Sequence, residues 1–367
     1  MKRTGIASLP LHGGKAPRWL MMLMTRLSRE IVRVMAEEFG PREVLVRLSD
    51  PHWFQAFGCV LGFDWHSSGV TTTVCGALKE GLKGIDKEIG LFVAGGKGNA
   101  SRKTPSELEE IGRITGLDTT RHIYASRMSA KVDNTALKDG YQLYHHTFLI
   151  TTEGSWAVIQ QGMNASNRYA RRYHWLSDSV TDFVSEPHAA ICCDRTERTL
   201  NLVAQESAAS RKIITELSHL SPAQTLTEIK KIQTLHLPSH HAVDVDDIHP
   251  DRLHKALLST YERQPESFEA LLGISGVGPK TVRALALIGE LLYGAPASIR
   301  DPVRFSFAHG GKDGHPYPVD RPTYERSIET LRRAVDSAKI GHTEKRNALK
   351  TLYLLSESTP ADRSVPH

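Results

Sequence analysis

The sequence predicts an α+β amino-terminal domain over residues 1–195, followed by an all-helical carboxy-terminal part. Residues 141–163 hold two runs of β-branched and aromatic side chains around a Glu-Gly turn dipeptide, a pattern typical of a β hairpin. Beyond the first domain the apolar residues recur at helical spacing, and turns rather than strands interrupt them. We therefore expect a helical domain over 196–300 and a final segment over 301–367, a loop and helices that pack on it.

Length, charge and cysteine usage are those of an ordinary globular protein with a mild basic charge. The chain has 367 residues, enough for two or three domains, and 46 Lys and Arg against 41 Asp and Glu give a net charge of +5. If the protein binds nucleic acid, it must therefore do so through local basic patches and not through its total charge. The four cysteines form no C-x-x-C pair, which predicts reduced thiols and a cytoplasmic protein. The apolar run over 19–24 is too short to span a membrane, and no membrane association is expected.

The helices of the first domain follow from apolar residues at helical spacing and from the prolines and glycines between them. One short apolar run, Leu91–Ala94, is read as a strand. It leads into a glycine-rich loop with three basic residues, Lys97, Arg102 and Lys103, and then into a further helix that ends near residue 115. The earlier helices are predicted over 19–39, 42–49, 51–61 and 71–82.

Two polar pairs lie in the strands of the predicted hairpin. His145 and His146 are adjacent in the first strand, so their side chains point to opposite faces of the sheet and cannot jointly bind one metal ion. Gln160 and Gln161 are arranged in the same way in the second strand. One histidine can act as a general acid or base while the other packs. The alternative is a rim of polar residues that simply satisfy one another.

Residues elsewhere in the first domain could complete a site with the hairpin. Asp64 and Asp133 supply carboxylate oxygens, which suit Mg²⁺ or Mn²⁺, and His66 is a further candidate metal ligand. Lys131 can stabilise a phosphate group. The hairpin lacks the Glu-x-Lys pattern of restriction-like nucleases, so the sequence does not predict a metal ion held by the hairpin alone. No organic cofactor is expected.

A second basic region follows the hairpin. Residues 168–175 interleave three arginines with aromatic side chains, a combination that attracts phosphates and offers flat surfaces to bases. Together with the glycine-rich loop, this region predicts contacts with a nucleic-acid backbone. A solvated face above core aromatics is the alternative. The basic residues concerned are Arg168, Arg171, Arg172, Lys97, Arg102 and Lys103.

The stretch Leu271–Tyr293 has the pattern of a helix, a tight turn and a second helix. Gly276 and Gly278 allow close backbone approach, and N–H groups at the start of the second helix form an anion site beside Lys280. The residues from Ile274 to Thr281 resemble the helix-hairpin-helix motif of DNA-binding proteins, which implies that they contact a DNA backbone. The alternative is a glycine-rich turn that lets two core helices pack closely.

Two other patterns leave alternatives open. Lys280 followed by Val319 and Asp320 resembles the DNA glycosylase superfamily, which implies an amine nucleophile and a supporting carboxylate. The loop over 238–247 contains histidines and aspartates that could bind a metal ion. A solvated loop with a helix cap is the alternative interpretation of that segment.

Five blocks of sequence carry a resemblance that extends beyond single motifs. They lie at Thr4–Trp19, Tyr144–His146, Val158–Asn164, Arg171–Trp175 and Phe307–Gly314. Together they resemble domain-of-unknown-function family 763 of prokaryotes. The resemblance spans nearly the whole chain. It implies that the histidine, glutamine, arginine and glycine-rich blocks belong to one site, and it agrees with a DNA-binding turn.

The leading hypothesis is a DNA-processing enzyme that hydrolyses phosphodiester bonds in repair or recombination. His145 or His146 then acts as general acid or base, and the carboxylates named above hold the metal ion. Three basic side chains stabilise the scissile phosphate, namely Lys131, Arg127 and Arg171. Two alternatives remain: a glycosylase that uses Asp320, with or without Lys280, and a non-enzymatic protein that recruits partners to DNA.

Overall fold

A five-stranded antiparallel β-sheet forms the middle layer of the protein, with helices on both faces. In spatial order its strands are β1 (Leu91–Lys97), β3 (Gln142–Thr151), β4 (Trp156–Asn164), β5 (Tyr169–Leu176) and β6 (Ala190–Cys192). A smaller sheet pairs β2 (Leu137–Lys138) with β7 (Leu200–Asn201). The predicted hairpin corresponds to β3 and β4, and the mixture of helices with an antiparallel sheet agrees with the predicted α+β class.

The computed structural model describes residues 16–63, 67–193, 198–233, 250–303, 329, 331–338 and 340–357. Several predicted features lie outside these ranges, namely Asp64, His66, Asp320 and the segments 238–247 and 307–314. Among the helices that fall within the described ranges, none has both the length and the apolar character needed to cross a membrane.

Helices from the amino-terminal part cover one face of the large sheet. They are α1 (Arg18–Phe39), α2 (Pro41–Ser49), α3 (Pro51–Val60), α4 (Gly69–Leu82) and the short α5 (Asp86–Ile89). Their apolar side chains, such as Trp53, form one hydrophobic core with Leu149 and Ile159 of the sheet. Asp50 separates α2 from α3, because its carboxylate accepts hydrogen bonds from the backbone N–H groups of His52 and Trp53 and so caps α3.

The opposite face is covered by a second set of helices. They are α6 (Asn99–Arg102), α7 (Thr104–Thr115), α8 (Thr120–Lys131), α9 (Ala208–Leu217), α10 (Pro222–Gln233), α11 (Pro250–Arg263), α12 (Phe268–Gly273) and α13 (Pro279–Tyr293). Phe148 and Trp175 on this face of the sheet share one hydrophobic core with Leu271 and Leu285 of α12 and α13. This core contains side chains from both sides of residue 195, and the division into domains there stays a prediction.

The last described residues return to the amino-terminal side of the sheet. Residues 331–337 lie in helix α14, and α15 spans His342–Glu357. Leu331 and Leu352 belong to the core formed with α1–α4. This differs from the expectation that the final segment packs on the helices of 196–300. Amphipathic periodicity shows that a helix has an apolar face, but it does not identify the element that covers that face.

Candidate functional site

The alternation of side chains along β3 separates the two adjacent histidines. His146 lies in register with Gln160 of β4 and Tyr173 of β5, on the face covered by α8. His145 lies in register with Gln161, on the face covered by α4. Each face carries a network of buried polar side chains, so one sheet separates two polar clusters.

A continuous chain of hydrogen bonds links α8 to the sheet and to the turn that follows α8. Ser126 Oγ lies 2.9 Å from His146 Nε2, and His146 Nδ1 lies 2.8 Å from Gln160 Oε1. Gln160 Nε2 then donates to Asp133 Oδ2 at 2.5 Å. All four side chains are buried. We refer to Ser126, His146, Gln160 and Asp133 as the serine–histidine chain.

Asp133 anchors the far end of the serine–histidine chain. It lies in a π-helical turn, Val132–Ala136, and its carboxylate also accepts hydrogen bonds from Trp175 Nε1 at 3.0 Å and His188 Nε2 at 2.5 Å. Three donors therefore satisfy this buried carboxylate. The bond to Gln160 also fixes the orientation of that side-chain amide, because the NH₂ group of the amide, and not its carbonyl oxygen, must face the carboxylate.

The partners of His146 determine which ring nitrogen carries the proton. Since Gln160 directs its NH₂ group to Asp133, its carbonyl oxygen faces His146 and can only accept. His146 Nδ1 is therefore protonated, and Nε2 presents a lone pair to the Ser126 hydroxyl. Burial lowers the pKa of His146, against the opposing effects of Gln160 and Asp133. The imidazole is thus a neutral base that faces Ser126.

The network on the opposite face is built around Arg172. Its guanidinium group donates to His174 Nε2 at 2.9 Å and to Gln55 Oε1 at 3.0 Å, and lies 4.7 Å from the centre of the Phe54 ring. Gln161, its neighbour in β4, is buried as well and bonds to α4. These contacts hold α3 and α4 against the sheet.

Arg171 is also fully buried, on the face of the serine–histidine chain. It pairs with Asp139 at 3.1 Å and with Asp301 at 2.8 Å, which ties the segment after α13 to the sheet. Tyr173 Oη donates to the same oxygen of Asp139 at 2.5 Å. The sequence predicts Arg171 and Arg172 as surface contacts for nucleic acid. In the fold both lie inside, because helices cover both faces of β5, and neither side chain is part of the protein surface.

The other basic residues predicted to contact nucleic acid are exposed. Arg168 lies in the turn between β4 and β5, Lys97 ends β1, Arg102 ends α6, and Lys103 lies between α6 and α7. Within the described part of the chain, none of these four residues forms an ion pair with an acidic side chain. Their charges therefore face solvent near the end of the sheet.

A cavity of about 250 Å³ opens where β3 meets α6 and α8. Predicted catalytic and basic residues from separate stretches line it together, namely His145, His146, Gln160, Arg102 and Arg127. None of the described residues that line it is acidic. Ser126 lines it too, and sequence reasoning missed this residue, because a lone serine within a helix forms no pattern. Only its contact with a histidine from another element gives it a role.

The wall of this cavity depends on a close approach between β1, β3 and α7. Gly95 has a φ of +87°, and an added Cβ would lie 2.3 Å from the carbonyl oxygen of His146. Its N–H group donates to Glu107 of α7 at 2.6 Å, and Lys79 pairs with the same carboxylate at 2.7 Å. A side chain at position 95 would push β1 away from the strand that carries both histidines.

His145 also lines this cavity, although its side chain forms its hydrogen bond on the opposite face of β3. Its Nε2 lies 2.9 Å from Thr147 Oγ1, and no group among the described residues bonds to its Nδ1. Burial, together with the charges of His146 and Lys97, lowers the pKa of His145 to about 3. The pKa of a histidine in the unfolded chain is about 6.5. Between these two values the unfolded state binds a proton that the folded state does not, so the free energy of unfolding falls as the pH drops.

Replacing His145 with glutamine should remove this dependence. We expect the slope of the unfolding free energy against pH, between about pH 6 and 4, to decrease by up to about 1.4 kcal/mol per pH unit. Urea unfolding at several pH values measures the slope for wild type and variant. Equal slopes for the two proteins would contradict a neutral, buried His145.

The turn 274–278 joins α12 to α13, with Ile274 and Val277 buried and Ser275 and Gly276 exposed. Gly276 has a φ of +90°, and Gly278 precedes α13 in an extended conformation without a side-chain cap. A Cβ added to either glycine would meet no atom within 4 Å, so the space beside the turn is open. Lys280 is exposed at the start of α13, whereas Thr281 is buried in its first turn.

Helix α8 connects this turn to the cavity. Lys131, at its carboxy-terminal end, donates to the carbonyl oxygen of Val277 at 2.7 Å. Arg127 lies one helical turn earlier and lines the cavity beside Ser126. At about 1.5 Å per residue, the Cα atoms of Arg127 and Lys131 are separated by about 6 Å along the helix axis. One helix therefore links the turn to the cavity.

The predicted metal site stays a prediction. Two of its candidate ligands, Asp64 and His66, lie outside the described residues, and the third, Asp133, accepts the three hydrogen bonds given above. Within the described ranges, no group of three or more His, Cys, Asp or Glu side chains is arranged to hold a metal ion.

Comparison with known proteins identifies a family for this chain. Neither the curated proteins nor the solved structures contain a match to this chain. The family model described as "Protein of unknown function (DUF763)" matches residues 5–319, which include the sheet, the cavity and the turn. The chain therefore belongs to this family.

Proposed function

We propose that this protein binds DNA through the sugar–phosphate backbone and hydrolyses a phosphodiester bond in the cavity beside His146. The observation that carries the proposal is the position of helix α8. Its Lys131 bonds to the turn before α13, and its Arg127 lines the cavity that contains His146. One helix thus connects a turn suited to a DNA backbone with a cavity that contains the imidazole of His146, a general base.

The turn between α12 and α13 supports backbone binding by its charge and its openness. N–H groups at the start of an α-helix point out of the helix, and the helix dipole is positive there. The space beside Gly276 and Gly278 is open, the ammonium group of Lys131 contacts the turn at Val277, and Lys280 is exposed in the first turn of α13. Contacts of this kind read no bases, so we expect binding without sequence preference.

The cavity supports chemistry on a phosphate group. Arg102 and Arg127 line it, and a guanidinium group can donate two parallel hydrogen bonds to the oxygens of one phosphate. His146 offers a neutral Nε2, the form that a general base requires. The volume of about 250 Å³ is slightly below the range of about 300–1,000 Å³ typical of small-molecule pockets. It suits one phosphate group and its sugar better than a large cofactor.

Replacing Gly278 with valine tests the turn. The residue has a φ of −133° and open space around it, so a side chain fits the fold but fills the space beside the first turn of α13. We expect Kd for DNA to rise about 10-fold for every sequence, equivalent to about 1.4 kcal/mol. The slope of log K against log salt should also become shallower by about 1 for each DNA phosphate that the variant no longer binds. Fluorescence anisotropy at several salt concentrations measures both quantities.

A glycine at the other end of the turn supplies the matched control. Gly273 is the last residue of α12, and an added Cβ would make an ordinary contact with Met128 Cε at 3.8 Å. Gly273→Ala should leave Kd unchanged. If Gly278→Val binds DNA as tightly as wild type, the turn does not belong to the binding surface.

Incubation of the protein with DNA of several structures separates the three candidate functions. Strand cleavage without release of a free base supports the hydrolase, and parallel reactions with Mg²⁺, Mn²⁺ or EDTA determine whether a metal takes part. Release of a free base, with or without strand cleavage, would instead support the glycosylase alternative that uses Asp320, with or without Lys280. Binding with neither product would indicate a protein that recruits partners to DNA.

A further inference from the structure

We infer that Ser126 is the nucleophile of this reaction, activated by His146 and directed at the phosphorus atom of the phosphodiester. The inference rests on the proposed function for its substrate, and on the serine–histidine chain for its chemistry. It adds a covalent phosphoserine intermediate, in which the DNA is joined to the protein during the reaction.

Ser126 has the surroundings of an activated hydroxyl group. Its Oγ lies 2.9 Å from His146 Nε2, the ring nitrogen that carries a lone pair, and the residue lines the cavity although it is only 3% exposed. A serine hydroxyl is a weak nucleophile until an adjacent base accepts its proton. Here the base is already neutral and already in contact with the hydroxyl.

Comparison with other helical hydroxyl groups shows that the contact is specific. Ser49, Ser129 and Thr215 each donate to a backbone carbonyl three or four residues earlier, as hydroxyl groups in helices commonly do. Ser126 lies in the middle of α8 and could do the same. Its hydroxyl is instead 2.9 Å from a side chain in β3. A serine that only filled space in the helix would not need this arrangement.

The order of groups matches that of a catalytic triad. His146 Nδ1 donates to Gln160 Oε1, at the position where the Ser-His-Asp triad has its carboxylate. Gln160 is a positioning residue: its amide fixes the tautomer and orientation of the imidazole, and Asp133 in turn fixes the amide. In the triad the carboxylate bonds directly to the imidazole. Here Gln160 lies between the carboxylate of Asp133 and the imidazole of His146.

The proposed reaction proceeds in two steps and consumes one water molecule. In the first, a bond forms between Ser126 Oγ and phosphorus, the hydroxyl proton passes to His146 Nε2, and the bond from phosphorus to one sugar oxygen breaks. That oxygen leaves with the proton from His146. In the second, water attacks phosphorus and gives a proton to His146, the bond to Oγ breaks, and Ser126 regains its proton. The products are a phosphomonoester end and a hydroxyl end.

Diisopropyl fluorophosphate tests the nucleophile directly. Attack by Ser126 would form an Oγ–P bond and release fluoride, and intact-protein mass spectrometry with peptide mapping locates the adduct. We expect one adduct on Ser126 of the full-length protein. It should be absent from Ser126→Ala and form about 100-fold more slowly in His146→Gln, since a general base contributes about 10²–10⁴-fold. Ser129→Ala, a buried serine one turn away that bonds to a backbone carbonyl, should react like wild type.

DNA binding measured on the same samples separates this inference from the proposed function. An adduct that is missing from wild type, or that persists in Ser126→Ala, overturns the nucleophile even if the protein binds DNA. An adduct on Ser126 in a protein that binds no DNA supports the nucleophile and overturns DNA as its substrate. Cleavage of DNA at an equal rate by wild type and Ser126→Ala also overturns the inference.

Discussion

Replacing His146 with glutamine should lower the rate of DNA cleavage by about 10³- to 10⁴-fold, while the Kd for DNA changes less than about twofold. Glutamine is polar and can retain hydrogen bonds with Gln160 and Ser126, but it cannot accept the hydroxyl proton. The loss should therefore fall on the chemical step. Single-turnover cleavage of an end-labelled oligonucleotide measures the rate, and fluorescence anisotropy measures the affinity.

His122→Gln is the matched control for this variant. His122 is buried in the same helix as Ser126, but its Nε2 lies 2.9 Å from the carbonyl oxygen of Gly154, and it does not line the cavity. This variant should cleave DNA like wild type. The pH profile gives a second readout. Because burial lowers the pKa of His146, the wild-type rate should decline only below the ordinary histidine value of about 6.5. An equal loss of activity in both variants would contradict a specific role for His146.

Replacing Arg171 with methionine should lower the free energy of unfolding by about 3–5 kcal/mol. The variant keeps a side chain of similar length but leaves the buried carboxylates of Asp139 and Asp301 without their cation. Burial already raises the pKa of Asp139, against the effect of Arg171. Without the arginine this pKa should rise further. Folding then favours the protonated carboxyl, so the destabilisation should shrink as the pH falls.

Urea unfolding near neutral and mildly acidic pH measures this effect. Arg168→Met, at an exposed position just before β5, should change the unfolding free energy by less than about 0.5 kcal/mol. A similarly small change in Arg171→Met would show that the buried ion pairs do not hold the segment after α13 to the sheet.

The elements that could be predicted from sequence depend on local periodicity. The hairpin of β3 and β4 follows from alternating side chains and a turn dipeptide, and the same alternation separates His145 from His146. Burial could not be predicted in the same way. Arg171 and Arg172 have the composition of a surface patch, and only the helices that cover both faces of β5 place them inside.

The serine–histidine chain could not be predicted because its members meet only in the folded protein. Ser126 lies in α8 and His146 in β3, and only the packing of that helix on the sheet brings them into contact. Asp133 is a metal candidate by its residue type alone, whereas the fold gives its carboxylate three hydrogen bonds. Local patterns identify candidate residues, but tertiary packing decides which atoms touch.

One helix, α8, carries both Ser126 and Lys131, and this imposes a fixed interval along any bound strand. Five residues of α-helix span about 7.5 Å along the helix axis, and one strand of a DNA duplex advances about 3.4 Å along the duplex axis per nucleotide, so the interval corresponds to roughly two nucleotides. The helix would then fix the distance between the phosphate bound near Lys131 and the phosphate attacked by Ser126. Every cut should fall at the same short offset from the anchored phosphate, whatever the base sequence on either side.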